Sequence, residues 1–408
     1  MGVSLRRRLT GGRRSFTRNR FVVPIAVILA TALMFYCSNL YRMSLLRYDG
    51  VRLDSIWDSI ASTTSPSPSP SPSPSSPPKA PKVEVPVSDP TNFLKKVQAK
   101  FNSTIHSVHA DTFMTVEGYN YTIRNGSNRW TEPLGQRLLI LDADSRVSEK
   151  EIDSMLTPSP LNDDIMSGRT AGMLNHFLYA LIHGYDYRLV KSPPMTDRHG
   201  TWSKVSLIKE ALKTHDYVVF LDADATFQYY RLPYEWLMSM WNFGKDSLVA
   251  MPEDPNSPVN QDSKGWVLWN TGFVTAQQSE RTQEMFERWE SCPLGERYPE
   301  CKHWGNDWSH EQAAFGNFVR YEYEVGKGKD LVPIPCMDGN GANYIVDKKC
   351  GGVFVAHHWF YKDFPTRELY EKLDDSFVVD MQNYFHLNQK KYYVDASEYT
   401  YPLNDLKI

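Results

Sequence analysis

Cysteine is scarce in this sequence: five in 408 residues, none at C-x-x-C spacing, so no zinc-finger framework is written into it. Lysine and acid are missing altogether from residues 1–47, where nine arginines give a local charge of +9. The whole chain carries −3, so residues 48–408 carry −3 − 9 = −12. A body of that sign lacks the basic face a nucleic-acid partner requires. Charge of either sign is also absent from Phe21 to Tyr41. As a helix this stretch would be about 31 Å long at 1.5 Å per residue, enough to cross the hydrocarbon core of a bilayer. Seven arginines precede it and two follow, Arg42 and Arg47, which holds the N-terminus in the cytosol. No A-x-A-like cleavage site comes after it, which argues against a removed signal peptide.

What is present fits a chain anchored once and facing a lumen. From Ser62 to Pro90 the sequence is mainly Ser and Pro, a composition that favours polyproline II and cannot bury a core. Three N-glycosylation sequons follow, at Asn102, Asn120 and Asn125. The four cysteines beyond the membrane fall into local pairs, Cys292 with Cys301 and Cys336 with Cys350, as disulfides of an oxidising compartment would. The expected organisation is a cytosolic basic tail (1–20), a transmembrane signal-anchor (21–41), a Ser/Pro-rich stem (42–90) and a lumenal domain (91–408).

Within that domain strand and helix signals alternate. Gln136–Leu141 reads as a buried strand, and residues 169–183 as a helix capped by Gly184. Tyr185–Val190 reads as a strand, Lys204–Lys213 as a helix, and Asp216–Leu221 as a third strand. This order predicts an α/β fold with a mostly parallel central sheet flanked by helices, and ligands beyond the carboxyl ends of its strands. Trp266–Phe273 and Gly351–Trp359 add two further strand-like runs, and Trp308–Phe315 a helix start.

The strongest chemical signal is Asp222-Ala-Asp224 at the end of the third strand. Alternate side chains of a strand share a side, so these carboxylates can converge as hard ligands for Mg²⁺ or Mn²⁺ against a diphosphate. Asp142-Ala-Asp144 repeats the tripeptide at the end of the first strand, so one of the two pairs has another use. His357 or His358 could complete an Asp/Asp/His set, and Lys204 could meet a phosphate. Asn270-Thr-Gly272-Phe is a polar turn that lets a ligand approach the backbone, and Glu311-Gln312 sits in the first turn of a helix.

Asn175…Tyr179-Ala-x-x-His183-Gly184-Tyr185, Trp202-x-Lys204, Asp216-Tyr-x-x-x-Leu-Asp222-Ala-Asp224-Ala, Asn270-Thr-Gly-Phe and Glu311-Gln312-Ala-Ala, in this order, resemble the galactosyl/mannosyltransferases of glycosyltransferase family 34. The likeness spans roughly residues 136–362. It implies a GT-A nucleotide-diphospho-sugar transferase fold and a Mn²⁺-dependent (or Mg²⁺-dependent), retaining transfer of a hexose from a UDP- or GDP-sugar to a glycan. It further implies a Golgi membrane location, with room for a complex with other Golgi transferases. Position by position, the resemblance makes Asp222, Asp224 and His357 or His358 metal ligands, and Lys204 a contact of the donor diphosphate. Asn270, Gly272, Glu311 and Gln312 would line the sugar and acceptor side, with Glu311 the nearest nucleophile if retention uses one. Asp142 and Asp144 would lie near the base or ribose. Pro252–Lys264 has no counterpart that can be placed. The alternative is a catalytically silent subunit of the same fold that binds sugar or scaffolds a lumenal complex.

Overall fold

Six short strands of the main sheet run parallel to one another, and a seventh set among them runs against its neighbours. In the computed structural model, which describes residues 90–408 apart from 158, 327–328, 345–348, 402 and 404–405, the strands are β1 (Thr112–Met114), β2 (Asn120–Thr122), β3 (Leu138–Ala143), β4 (Asp186–Lys191), β5 (Tyr217–Leu221), β6 (Ala225–Phe227), β7 (Val249–Pro252), β8 (Phe273–Gln277), β9 (Leu331–Ile334), β10 (Val355–His357) and β11 (Tyr393–Asp395). The main sheet has the order β11-β4-β3-β5-β8-β7-β9, and β8 alone is antiparallel to its neighbours. The larger helices are α1 (Pro90–Phe101), α2 (Gly168–His183), α3 (Ser203–Ala211), α4 (Tyr234–Met240), α5 (Glu280–Glu290), α6 (His310–Asn317), α7 (Phe364–Lys372) and α8 (Asp375–Leu387).

The alternation of side chains along β3 and β5 divides the core in two. Leu138, Ile140, Val219 and Leu221 face α2, α7 and α8, whereas Leu139, Leu141, Val218 and Phe220 face α3, α5 and α6. Both faces are apolar because both are covered by helices, as a mainly parallel sheet demands. The chain leaves β3 through α2 to β4 on one side, then returns through α3 to β5 on the other. β3 therefore stands at a topological switch point, where a crevice opens beyond the strand ends.

The expected helix at 169–183 is α2, and Gly184 ends it at φ 71°, a left-handed cap that glycine adopts without steric cost. Two expectations need correction. The Trp266–Trp269 run forms only isolated bridges, and the strand begins after the turn at Phe273, because Asn270–Gly272 is folded around the end of β5. Likewise β10 covers only Val355–His357; Gly352 has φ 60° and a Cβ there would lie 2.2 Å from the carbonyl oxygen of Gly341. Both expected disulfides are present, Cys292–Cys301 and Cys336–Cys350. The tail, the signal-anchor and the stem up to residue 89 lie outside the described residues. Among the described residues no helix is long and apolar enough to cross a membrane.

Candidate active site

β5 ends at Leu221, and the chain then turns tightly: the Ala225 N–H donates to the Asp222 carbonyl at 2.8 Å, while the Asp222 N–H donates to the Gly272 carbonyl at 2.7 Å. Asp222 and Asp224 thus converge across a turn rather than along a strand. β6 leaves that turn and pairs antiparallel with β10, register Ala225 opposite His357. The pairing brings the His357 ring beside the carboxylates, so that Asp222, Asp224 and His357 each offer a ligand atom within 4.8 Å of the others. Two glycines make room. A Cβ on Gly272 would come within 2.3 Å of His357 Cε1 and 3.0 Å of Asp222 Oδ2, and one on Gly172 of α2 within 1.9 Å of the Ala223 carbonyl oxygen.

Positive charge surrounds the cluster. The buried Lys204 ammonium donates to Asp222 Oδ1 at 2.8 Å and lies 3.4 Å from Glu311 Oε1. Burial alone would lower the Lys204 pKa, yet Asp222 and Glu311 carry it above the ordinary lysine value. Lys362, from the segment after β10, pairs with Asp224 Oδ2, and His357 Nε2 is 3.4 Å from Asp224 Oδ1. For Asp224 the burial penalty is outweighed by His357 and Lys362, which hold the carboxyl far below the usual range. The His357 ring faces Asn340 Oδ1 through Nδ1 at 3.2 Å, leaving Nε2 toward the aspartates. Two carboxylates and one oriented imidazole are a donor set for a hard or borderline divalent cation.

Asp222, Asp224, Lys204 and Lys362 line a cavity of about 600 Å³ with Asp144, Arg146, Arg169, His199, Thr201 and Phe220. Asp142 does not reach it. Its carboxylate is 1% exposed, accepts from the Tyr187 hydroxyl at 2.6 Å and meets His176 Nδ1 at 2.8 Å. A place near a nucleotide base is therefore open to Asp144 alone of that pair, and Asp144 is held by Arg146 Nε at 2.9 Å and Nη2 at 2.6 Å. His358 also lies apart. Its ring nitrogens face Thr226 Oγ1 at 3.2 Å and the Tyr344 hydroxyl at 3.1 Å, with Glu368 at 3.5 Å, so it braces β6 against α7.

Glu311 is buried below the site, not in it. Its oxygens accept from Thr201 Oγ1 at 2.5 Å and Thr271 Oγ1 at 2.9 Å, besides facing Lys204. Burial would raise its pKa, but Lys204 and these hydroxyls keep it below the ordinary glutamate value. Gln312 reaches the other way: its amide donates to Asp254 Oδ2 at 2.7 Å and its oxygen accepts the Thr271 N–H at 3.3 Å. Asn270 donates to Asp254 Oδ1 at 2.9 Å and accepts the Gly272 N–H at 2.8 Å, which fixes the turn under Asp222.

The sequence reading passed over Asp254, Asn340, Arg146 and Lys362. Asp254 lies in the segment that had no counterpart, and it gathers Asn270, Gln312 and Asn340. Its pKa is raised by burial, against the pull of those amides. Lys362 carried a signal in its place five residues after His357, but the exposed Phe360 and Tyr361 between them hid it among surface residues.

Residues 195–364 match the family model described as nucleotide-diphospho-sugar transferase. The matched segment contains Lys204, Asp222, Asp224 and His357, and the match bears out the expected enzyme class, a glycosyltransferase. No match to a curated protein sequence was found. Among solved structures the chain is similar to a glycosyltransferase involved in glycosylation of the major capsid of PBCV-1, at 13% identity over 57% of this chain and 98% of that one, TM-score 0.41. It is also similar to the galactosyltransferase LgtC in complex with donor and acceptor sugar analogues (13% identity, 58% and 96% covered, TM-score 0.32). A third is the glycosyltransferase GlyE of Streptococcus pneumoniae TIGR4 (12% identity, 63% and 65% covered, TM-score 0.31).

Proposed function

We propose that this glycosyltransferase has the GT-A fold and moves a hexose, galactose or mannose, from a UDP- or GDP-sugar to a glycan acceptor with retention. The observation that carries the reading is the convergence of Asp222, Asp224 and His357, with both aspartates and Lys204 on the wall of one cavity beyond the strand ends. Those three side chains would hold a divalent cation, Mn²⁺ or Mg²⁺. Such a cation supplies Lewis-acid neutralisation of a diphosphate as the glycosidic bond breaks. Lys204 and Lys362 bring further positive charge to where a leaving diphosphate would sit. In this reading Lys362 exchanges its carboxylate partner for phosphate oxygen when donor and cation enter.

Glu311 is assigned a positioning role. Buried and enclosed by Thr201, Thr271 and Lys204, it fixes the ammonium that faces Asp222. Retention then falls to same-face attack by the acceptor hydroxyl. Asp144, clamped by Arg146 on the cavity wall, is assigned to the nucleoside end of the donor. The arginine-rich tail, the uncharged span 21–41 and the family 34 resemblance support a single-pass type II Golgi protein with this domain lumenal.

The test is nucleotide release from the full-length protein in detergent, with Mn²⁺ and a panel of UDP- and GDP-hexoses. One donor should turn over only with the cation. Calorimetry that finds no metal-dependent nucleotide binding would favour the silent-subunit alternative. Protease protection in microsomes checks the orientation: a C-terminal tag digested without detergent would overturn it.

A further inference from the structure

Beside the cavity the chain presents an exposed indole, backed by two imidazoles, that the transfer chemistry above does not use. Trp308, just before α6, is 85% exposed, while Trp202, Trp236 and Trp289 are fully buried. Its ring meets His310 edge-on, with centroids 5.8 Å apart and planes at 77°. His310 in turn lies flat on His199, centroids 3.8 Å apart and planes 7° from parallel. His199 lines the cavity together with Thr201, Lys204 and Asp222. Trp308 is thus two ring contacts away from the cavity wall.

This ledge is anchored. The His199 N–H donates to the Gly305 carbonyl at 2.8 Å, and the His310 N–H to the Asp307 carbonyl at 2.7 Å. His310 is only 7% exposed, yet its buried Nδ1 has no hydrogen-bond partner. A buried polar atom without a partner is uncommon in a folded protein and calls for a ligand or water to complete it. Trp308 beside it offers a large apolar face and an indole N–H to such a ligand.

We propose that Trp308, backed by His310 and His199, is the platform on which a pyranose ring of the acceptor glycan stacks. The proposal rests on the transferase reading for its choice of occupant. The chemistry fits that occupant: the C–H face of a pyranose covers an aromatic ring, while its rim of hydroxyls needs polar groups nearby. Asp307 and His303 supply them, paired with each other at 2.9 Å and both exposed. No lysine or arginine stands on the ledge itself, which favours a neutral sugar over a phosphorylated partner.

The test probes an array of neutral glycans with the full-length protein in Mn²⁺ and UDP, as wild type, Trp308→Ala and Trp308→Phe, with calorimetric UDP and GDP binding alongside. Trp308→Ala should weaken glycan binding by about tenfold or more, the scale of one lost aromatic contact plus its buried area. Trp308→Phe should restore most of it, and nucleotide affinity should stay within about twofold in both variants, which shows the fold intact. Equal glycan binding by Trp308→Ala, or no glycan bound by wild type, overturns the platform. Glycan binding that depends on Trp308 without metal-dependent nucleotide binding would confirm the platform and overturn the transferase reading instead.

Discussion

At the end of β3 the chain stays extended through Ala143, still paired with Val190 of β4, whereas at the end of β5 it folds back within Asp222–Ala225. The same tripeptide, Asp-Ala-Asp, spans both places. In the extended copy Asp142 is enclosed by His176 and Tyr187, which complete its hydrogen bonds, and Asp144 is taken by Arg146. In the folded copy both carboxylates are partly open and face Lys204, His357 and Lys362. The lesson concerns what a short acidic motif is worth. Two carboxylates become a candidate cation site when the backbone turns between them and a third donor is delivered by another strand.

The comparison breaks most readily at the carboxylates themselves. Asp222→Ala and Asp224→Ala should each cut metal-dependent transfer by about 10²–10³-fold, the range for removing a group that stabilises developing charge. Their thermal stability should change little. Asp142→Ala should do the opposite: it strips His176 and the Tyr187 hydroxyl of a buried partner and costs about 2–4 kcal/mol in a urea melt. Nucleotide affinity of its folded fraction should match wild type. Lost nucleotide binding at unchanged stability in Asp142→Ala would reverse the two assignments.

A smaller effect separates the site from its support. Glu311→Gln keeps one acceptor oxygen for the two threonine hydroxyls, turns the other position into a donor, and removes the charge facing Lys204. It should lower kcat about 10–100-fold, the usual range for a residue that orients another. A nucleophile would behave differently, since its loss would remove transfer and spare donor binding altogether. Azide rescue of Glu311→Gln, giving a glycosyl azide, would sink the positioning role and restore the covalent one.

The mostly parallel sheet and both disulfides could be read from strand–helix alternation and local cysteine spacing, because those depend on neighbours in sequence. Asp222, Asp224 and Lys204 were legible for the same reason: each lies at the edge of a strand or helix with a clear apolar period. What could not be read depends on long-range pairing. The choice between His357 and His358 is made by the β6–β10 register, across more than a hundred residues of chain. Asp254 was hidden because its partners Asn270, Gln312 and Asn340 come from three separate segments. Glu311 was misplaced because a helix's first turn says nothing about which side faces the cavity.

Gly172 sharpens the geometric half of the comparison. Any Cβ there would strike the Ala223 carbonyl, which belongs to the turn between the aspartates. Gly172→Ala should therefore cost about 1–3 kcal/mol as the helix and turn separate. Metal-dependent nucleotide affinity should fall with it, since the turn sets the spacing of the carboxylates. Elsewhere on a helix the same change would stabilise, so a more stable variant with normal affinity would show that α2 does not support the turn.

The smallest effect tests the electrostatic half, through a buried carboxylate with no cation against it. Asp338 accepts from Trp241 Nε1 at 3.1 Å, and burial pushes its pKa up to about 6, against the weaker pull of Trp241 and Arg124. Asp224, less enclosed and facing His357 and Lys362, is driven the other way. An acid whose folded pKa is raised binds more protons folded than unfolded between about pH 4 and 6, so its contribution to stability is best at low pH and declines as pH rises through that window. Asp338→Asn keeps an acceptor for Trp241 and cannot ionise. It should gain about 1–2 kcal/mol over wild type in urea melts at pH 7.5 and about a third of that at pH 4.5. Asp224→Asn should show no such gain at pH 7.5, because its ionised form is the favoured one. An equal difference for Asp338→Asn at both pH values would mean that Asp338 is ionised in the fold at no cost, and that cations alone do not distinguish these carboxylates.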